Sequence, residues 1–173
     1  MSSAPATDDE PQAREHRLDA ICAAAKRLKV DVPANRDAYL RRYYAQADAD
    51  ELASEPEALA AAALAHLKWA HLREPGTALV RVFNATMERD GWTSPHTIVE
   101  TANDDMPFLV DSLELALTRL GHPIYITIHP QLRVARSPRG EITNVEKDED
   151  GKEVERNPEF VRKFKAEHGG SKS

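Results

Sequence analysis

The sequence predicts an α+β fold in which a helical N-terminal unit precedes a smaller unit of strands and one helix. Between residues 18 and 70, apolar residues recur at steps of three and four, which is the spacing of one helix face. Beyond the Pro75-Gly76 pair, apolar and polar residues alternate, most clearly in the run 124–128, with the two-residue period of a half-buried strand. These patterns place the change from helices to a sheet near residue 77.

The predicted organisation has four parts. Residues 1–14 are small, polar and acidic, so we expect them to be disordered. Residues 15–76 form the helical unit, and residues 77–145 form the unit of strands and one helix. Residues 146–173 are charged and mostly irregular in pattern, and we expect them to be a tail.

The first two predicted helices pack through apolar faces. The first ends near Val30, Pro33 breaks the pattern, and Asn35 is suited to cap the second helix. The apolar stripe of the first helix contains Leu18, Ile21, Cys22, Ala25 and Leu28, and the aromatic face of the second contains Tyr39, Leu40, Tyr43 and Tyr44.

The third predicted helix is rich in alanine. Ser54 and Glu57 have the spacing of a capping box, in which the two side chains satisfy free N–H groups at a helix start. Its alanines permit close helix packing but bury little area each, and Trp69 is expected to pack in the helical core. The Pro75-Gly76 pair ends it.

The second unit begins with a strand at Leu79, a turn at Asp90-Gly91 anchored by Trp92, and a strand over residues 97–101. A helix with an apolar stripe from Leu109 to Leu120 follows. Its predicted start has cap oxygens on Asn103, Asp104 and Asp105 and a proline, Pro107, in the first turn; Gly121 closes it in the left-handed conformation. A strand over residues 124–128, a turn at 137–140 and a short strand over 142–145 complete the unit.

Composition excludes several function classes. The net charge is −6, and basic residues are interleaved with acidic ones, which argues against a nucleic-acid surface. Cys22 is the only cysteine, so no internal disulfide or thiolate metal cluster can form. The chain has neither a secretory signal nor the roughly eighteen consecutive apolar residues of a membrane span, so we expect a cytoplasmic protein.

Few residues are candidates for chemistry. Asp104 and Asp105 suit helix capping, a hard metal ion, or a helix start that binds the carboxylate of a small effector. His66 and His71 are five residues apart, on different helix faces, so they do not form a metal pair. The histidines at 96, 122 and 129 lack a third acidic or thiolate ligand, so no zinc site is predicted. Arg133 and Arg136 suit either an acidic partner surface or solvated strand edges.

Three phrases carry a family resemblance: Arg-Val-Phe-Asn at 81–84, Gly-Trp-Thr-Ser-Pro-His-Thr at 91–97 and Asn-Asp-Asp-Met-Pro-Phe-Leu-Val-Asp-Ser at 103–112. Together they resemble the large bacterial NAD-dependent glutamate dehydrogenases, and the resemblance extends over most residues up to about 140. It implies an N-terminal, non-catalytic regulatory or assembly segment of an enzyme that oxidises L-glutamate to 2-oxoglutarate and ammonium with NAD. The catalytic core and the NAD site would lie downstream, and the chain indeed lacks the Gly-x-Gly-x-x-Gly phrase of a dinucleotide site.

The segment from Thr97 also resembles the first half of an ACT domain, a βαββαβ, ferredoxin-like module that senses amino acids. The resemblance implies an incomplete sheet with one face uncovered, which the rest of the same polypeptide would complete. It also implies a homo-oligomer. The implied effector-binding residues are Asn103, Asp104, Asp105 and Met106. Phe108 replaces the usual glycine of this phrase, fills the space and favours ordinary helical dihedrals. The alternative is a free-standing, dimeric amino-acid sensor of the same type.

Overall fold

The structure, a computed structural model, describes residues 10–32 and 35–145. The helical unit contains α1 (Glu10–Arg27), α2 (Arg36–Tyr43) and α3 (Pro56–Ala70). The expected disorder of residues 1–9, the break at Pro33 and the tail 146–173 lie outside the described residues. No helix in the described ranges is long and apolar enough to cross a membrane.

The helical unit holds most of the buried apolar side chains. The predicted stripe of α1 is buried at Leu18, Ile21, Cys22 and Ala25, against Tyr39, Leu40, Leu64 and Leu67 of α2 and α3. Two tyrosines, Tyr39 on α2 and Tyr44 directly after it, hold the helix α3 in place. Their hydroxyls donate to the carbonyls of Ala63 and Leu59, each at 2.8 Å. The predicted docking on α1 agrees with the one buried cluster that Tyr39, Leu40 and Tyr44 share with the α1 stripe, while the tyrosine hydroxyls bind α3.

The helix α1 begins earlier than expected and includes residues 10–14, which the sequence pattern assigned to the disordered start. This early part contains Arg14, whose guanidinium donates to the carbonyls of Ala47 at 2.7 Å and Tyr44 at 2.9 Å. These bonds satisfy carbonyls beyond the end of α2 and attach the first turns of α1 to the rest of the unit.

The two predicted helix caps have different outcomes. Asn35 caps α2, since its side-chain oxygen accepts from the backbone N–H of Ala38 at 3.0 Å. The capping box at Ser54 and Glu57 is wrong, because Glu55 occupies the cap position and makes no side-chain cap bond. Pro56 opens the helix instead, a position where its missing N–H costs nothing. Glu57 pairs with Arg27 of α1.

The first two strands form an antiparallel ribbon. The strands β1 (Leu79–Asn84) and β2 (Thr97–Ala102) pair in a continuous register that places Arg81 opposite Glu100. They are joined through the short helix α4 (Met87–Asp90), which ends at Gly91 in the left-handed conformation. Trp92 is buried against Phe83 at a ring-centre distance of 6.4 Å, as expected for the anchor of this connection.

The remaining elements are α5 (Leu109–Arg119), β3 (Val134–Arg136) and β4 (Ile142–Val145); the last two form a second antiparallel ribbon. Gly121 ends α5 with φ 79°, as predicted. The strand predicted over residues 124–128 is wrong, because this run has no ladder partner and is irregular. Side chains hold it instead: Tyr125 stacks on His96 at 4.1 Å, and Thr127 donates to Glu114 at 2.7 Å. The α+β class, a helical part followed by a partial sheet module, is confirmed.

Candidate functional site

The predicted effector residues lie on the loop between β2 and α5, residues 103–108. The helix after this loop begins at Leu109, and Phe108 occupies its cap position without a side-chain cap bond. The predicted capping by Asn103, Asp104 and Asp105 is therefore wrong, and so is the placement of Pro107 in the first helical turn. The extra residues form a turn that moves the three polar side chains away from the free N–H groups of the helix start.

Asp104 is bound to the end of the helical unit instead. Its carboxylate accepts from Arg73 Nη2 at 2.5 Å and from the backbone N–H of Gly76 at 3.2 Å. The hydrogen bond from Arg73 lowers the pKa of Asp104 below its ordinary value. Arg73 is 7% exposed, and Asp104 supplies the negative charge that a buried guanidinium requires. The loop is thus attached to the chain that follows α3.

The other three predicted effector residues make contacts within or near the loop. Asn103 donates its amide to the sulfur of Met106 at 3.2 Å, and Gln131 donates to Asp105 at 3.3 Å. Met106 is about half exposed, at 48%. Effector binding by these four residues stays a prediction.

Phe108 adopts the left-handed conformation, with φ 62° and ψ 12°. It is the only non-glycine residue with positive φ among the residues described. The expectation of ordinary helical dihedrals at this position is therefore wrong. The loop requires a left-handed residue directly before α5, which is the conformation that glycine adopts without strain. The Phe108 ring is 66% exposed, so it does not fill the space beside the loop.

A second group of contacts closes the end of α3. Arg136 donates to the carbonyls of Ala70 at 3.2 Å and His71 at 3.0 Å, two of the free acceptors at a helix end. Arg136 is thus not the solvated strand edge that was one of its two predicted roles; a contact with an acidic partner surface stays a prediction. Burial lowers its pKa, and the positive charge of Arg73 acts in the same direction. Arg133 remains exposed.

His66 connects the helical unit to the first ribbon. Its Nε2 lies 3.2 Å from the carbonyl oxygen of Thr101, and its Nδ1 lies 2.8 Å from the hydroxyl of Tyr43. A carbonyl only accepts hydrogen bonds, so Nε2 donates to Thr101, whereas the Tyr43 hydroxyl can either donate to Nδ1 or accept from it. The ring links α2, α3 and β2, and burial lowers its pKa below the ordinary value.

Beside His66, the ribbon carries a partly buried ion pair, Arg81 and Glu100. Arg81 Nε donates to Glu100 at 2.6 Å across the ribbon, and Glu100 is 7% exposed. The guanidinium of Arg81 also lies over the ring of Trp69 at 4.7 Å, a cation–π contact. Trp69 is half-buried at this boundary and not, as predicted, in the helical core. We define the residues Tyr43, His66, Trp69, Arg81, Glu100 and Thr101 as the junction.

Sequence patterns missed the junction for a physical reason. A charged residue inside an apolar strand, as at Arg81, was the available signal, and Glu100 occupies the facing position of the next strand. Without the register, the pair cannot be recognised. In the parts of the chain that the structure describes, no group of three histidine, cysteine or acidic side chains could hold a metal ion.

The opposite face of the ribbon is apolar and open to water. Val80 and Val82 of β1 are 63% and 64% exposed, and Val99, which pairs with Val82, is also exposed. The helix α5 likewise has no buried residue, although its apolar side chains form the predicted stripe. We call the three valines the valine face.

A family model described as "Glutamate dehydrogenase, ACT1 domain" matches residues 39–167. The chain is similar to the NAD-specific glutamate dehydrogenase of Halomonas elongata, with 30% identity over 79% of this chain and 9% of that protein. It is also similar to the NAD-specific glutamate dehydrogenase of Pseudomonas aeruginosa, with 43% identity over 43% of this chain and 5% of that protein. No solved structure matches.

Proposed function

We propose, because this chain belongs to the family of the glutamate dehydrogenase ACT1 domain, that it is a non-catalytic regulatory or assembly module of an NAD-dependent glutamate dehydrogenase. The chain spans less than a tenth of the length of the curated relatives it matches. In such an enzyme, L-glutamate, NAD and water give 2-oxoglutarate, ammonium and NADH. We assign this reaction, and the NAD site, to other parts of a longer cytoplasmic polypeptide.

The valine face is the observation that carries the assembly role. Its side chains are more than a third exposed on a regular ribbon, and the helix α5, elsewhere in the same unit, also buries none of its own residues. Contiguous apolar surface on a folded unit is typical of a region that another protein surface covers. We propose that other domains of the same polypeptide, or a second subunit, cover it.

The loop at residues 103–106 is the proposed regulatory element. Asp104 joins this loop to Arg73, which follows directly on the helical unit. A molecule bound to the loop would therefore act on both units at once. An amino acid is the proposed effector, although the carboxylates of Asp104 and Asp105 would repel its own carboxylate, so its ammonium group would lie nearer to them.

The assembly role is tested by co-purification with the remainder of a full-length family enzyme. Val82→Ser should weaken capture at least tenfold, whereas Met87→Ser, equally exposed but on α4, should leave it unchanged. If both variants and the parent are captured equally, the valine face is not part of the interface.

Two further measurements separate this proposal from its rivals. The 173-residue chain alone should form no NADH from glutamate and NAD, and any turnover would contradict a non-catalytic role. Calorimetric titration with common amino acids tests the effector. If no amino acid gives a heat of binding, both the regulatory role of the loop and the free-standing sensor are contradicted. The assembly role is not affected by that result.

A further inference from the structure

Two apolar surfaces of this chain are open to water. The first is the valine face of the ribbon. The second, which we call the α5 stripe, consists of the apolar residues 109, 110, 113, 116 and 117 on one side of α5. No residue of α5 is buried, and α5 makes no extensive contact with another described helix or strand. Because an isolated helix of this length is marginal in water, a partner that packs on the α5 stripe would stabilise it.

The two surfaces match in composition and in length. On the side of the ribbon that contains the valine face, none of the residues is charged: these are residues 80, 82, 84, 97, 99 and 101. The α5 stripe contains no charge either, because Asp111, Glu114 and Arg119 lie on other sides of the helix. The six-residue strands extend for roughly 20 Å, and the eleven residues of α5 extend for about 16 Å. One surface can therefore cover the other, as a helix covers a sheet in a layered fold.

The loop before α5 keeps this helix away from the valine face of its own chain. The helical unit contacts the ribbon through the junction, on the opposite face. The loop is bound to that unit twice. Asp104 accepts from Arg73, while Asp105 accepts from Gln131, whose carbonyl accepts from Arg42 of α2 at 3.1 Å. Residues 106–108 alone separate Asp105 from α5, and three residues span at most about 11 Å. This length is too short to carry α5 round the ribbon, so the valine face needs another cover.

We propose that two copies of this chain form a symmetric dimer, in which α5 of each copy lies across the valine face of the other. The proposal rests on the proposed assembly role, and it names the partner as a second copy of the same chain. A two-fold axis uses both apolar surfaces of both copies at once and leaves none of them uncovered. The dimer forms from folded monomers, so the stability of the dilute chain does not depend on it.

The extent of the two surfaces fits a reciprocal contact. Stable interfaces bury roughly 800 Å² per partner and involve about 20 residues of each. The uncharged side of the ribbon and the α5 stripe together provide eleven positions in each copy. Five further exposed apolar side chains flank α5 in the chain and bring the surface close to this size: Met106, Phe108, Ile124, Tyr125 and Ile126. A single contact of one α5 with one ribbon would use only about half of it, so the dimer needs both contacts.

Sedimentation velocity of the 173-residue chain tests the dimer. The parent should sediment as a dimer at micromolar concentration. Leu113→Asp places a charge in the α5 stripe and Val82→Asp places one on the valine face, so each should raise the dissociation constant at least tenfold. Leu115→Asp is the matched control and should leave this constant unchanged. Leu115 is also an exposed leucine of α5, but a step of two residues places it nearly on the opposite side of the helix.

Cross-linking identifies the surfaces that meet. Cys22→Ala removes the only cysteine of the chain and provides the background. One chain then carries Val82→Cys and a second carries Leu113→Cys, and a short bismaleimide should join the two when they are mixed. With Leu115→Cys in place of Leu113→Cys, no such product should form. When Val82→Cys and Leu113→Cys are combined in one chain, the product should be a cross-linked dimer and not a cross-linked monomer.

Several outcomes would overturn the proposal. A monomeric parent excludes the dimer, and a cross-link within one chain means that α5 folds onto its own ribbon. Loss of the dimer in only one of the two Asp variants means that the two surfaces do not cover each other. If an Asp variant loses its helical circular dichroism, the cross-linking result decides. A monomeric chain that the remainder of a family enzyme still captures through Val82 would reject the dimer and retain the assembly role.

Discussion

The carbonyl oxygen of Arg73 lies 2.3 Å from the point that a β-carbon on Gly140 would occupy. The two backbones approach this closely because the N–H of Arg73 donates to the carbonyl of Gly140 at 3.1 Å, and Ile142 donates in turn to His71. These bonds attach the end of the helical unit to the turn before β4. The contact makes Gly140 the position where the second ribbon tolerates no side chain.

Gly140→Ala should therefore destabilise the protein by more than its backbone conformation alone explains. A left-handed alanine costs roughly 1–2 kcal/mol, and the clash with Arg73 adds to this. Gly76→Ala is the control, because Gly76 has a similar φ of 76° and nothing within 4 Å of the added carbon. Denaturant unfolding should give a larger loss for Gly140→Ala, and equal losses would mean that the two backbones can separate at no cost.

Asp104→Ala should lower the free energy of unfolding by about 1–3 kcal/mol, because it leaves Nη2 of the buried Arg73 guanidinium and the Gly76 N–H without their acceptor. Asp104→Asn keeps an acceptor of similar shape and should cost less. An equal loss in both variants would assign the effect to the charge and not to the hydrogen bonds.

The same ion pair predicts a pH dependence. The pKa of Asp104 is lowered in the folded state, so its contribution is fully present above its ordinary value of 3.8 and is lost as the pH falls through the lowered value. The difference in unfolding free energy between the parent and Asp104→Asn should therefore shrink on acidification below pH 3.8. A difference that stays constant down to about pH 2 would contradict the pairing.

Phe108→Gly should be more stable than Phe108→Ala by about 1 kcal/mol, because only glycine adopts the left-handed conformation at this position without strain. Both variants lose the same exposed ring, so the difference in their unfolding free energies reports the cost of the left-handed backbone conformation at residue 108. Thermal unfolding measures it. A more stable alanine variant would show that the residue before α5 is not left-handed in solution.

Leu64→Ala should cost about 2–5 kcal/mol, because Leu64 is 0% exposed in the centre of the helical core. Leu120→Ala, at a side chain that is 73% exposed beyond α5, should change the free energy of unfolding by less than about 0.5 kcal/mol. Similar losses at both positions would mean that the apolar stripe of α5 is buried in solution.

Local patterns predicted the elements whose stability is local. The stripe of α1, the Asn35 cap and the left-handed Gly121 all depend on residues within a few positions, and each is present in the structure. The run 124–128 has the alternation of a strand, but a strand also needs a partner at the correct register, which no local pattern contains.

The predicted site failed in the same way. The acidic residues at 103–105 matched a helix start, yet Asp104 binds an arginine 31 positions earlier in the chain. Arg73 itself lies among ordinary surface-like residues of the sequence, so nothing marked it as buried. The Tyr43–His66 bond and the Arg81–Glu100 pair likewise join residues from different elements.

The reach of Arg136 back to Ala70, 66 positions earlier, has a consequence for the order of synthesis. On a ribosome, the last turn of α3 is made long before the side chain that satisfies its carbonyls has left the exit tunnel. The nascent protein therefore carries an unfinished helix end through the translation of at least 66 further residues. The loop between Ala70 and Arg136 therefore closes late. The packing at the end of α3 is completed only when the second ribbon, β3 and β4, has formed.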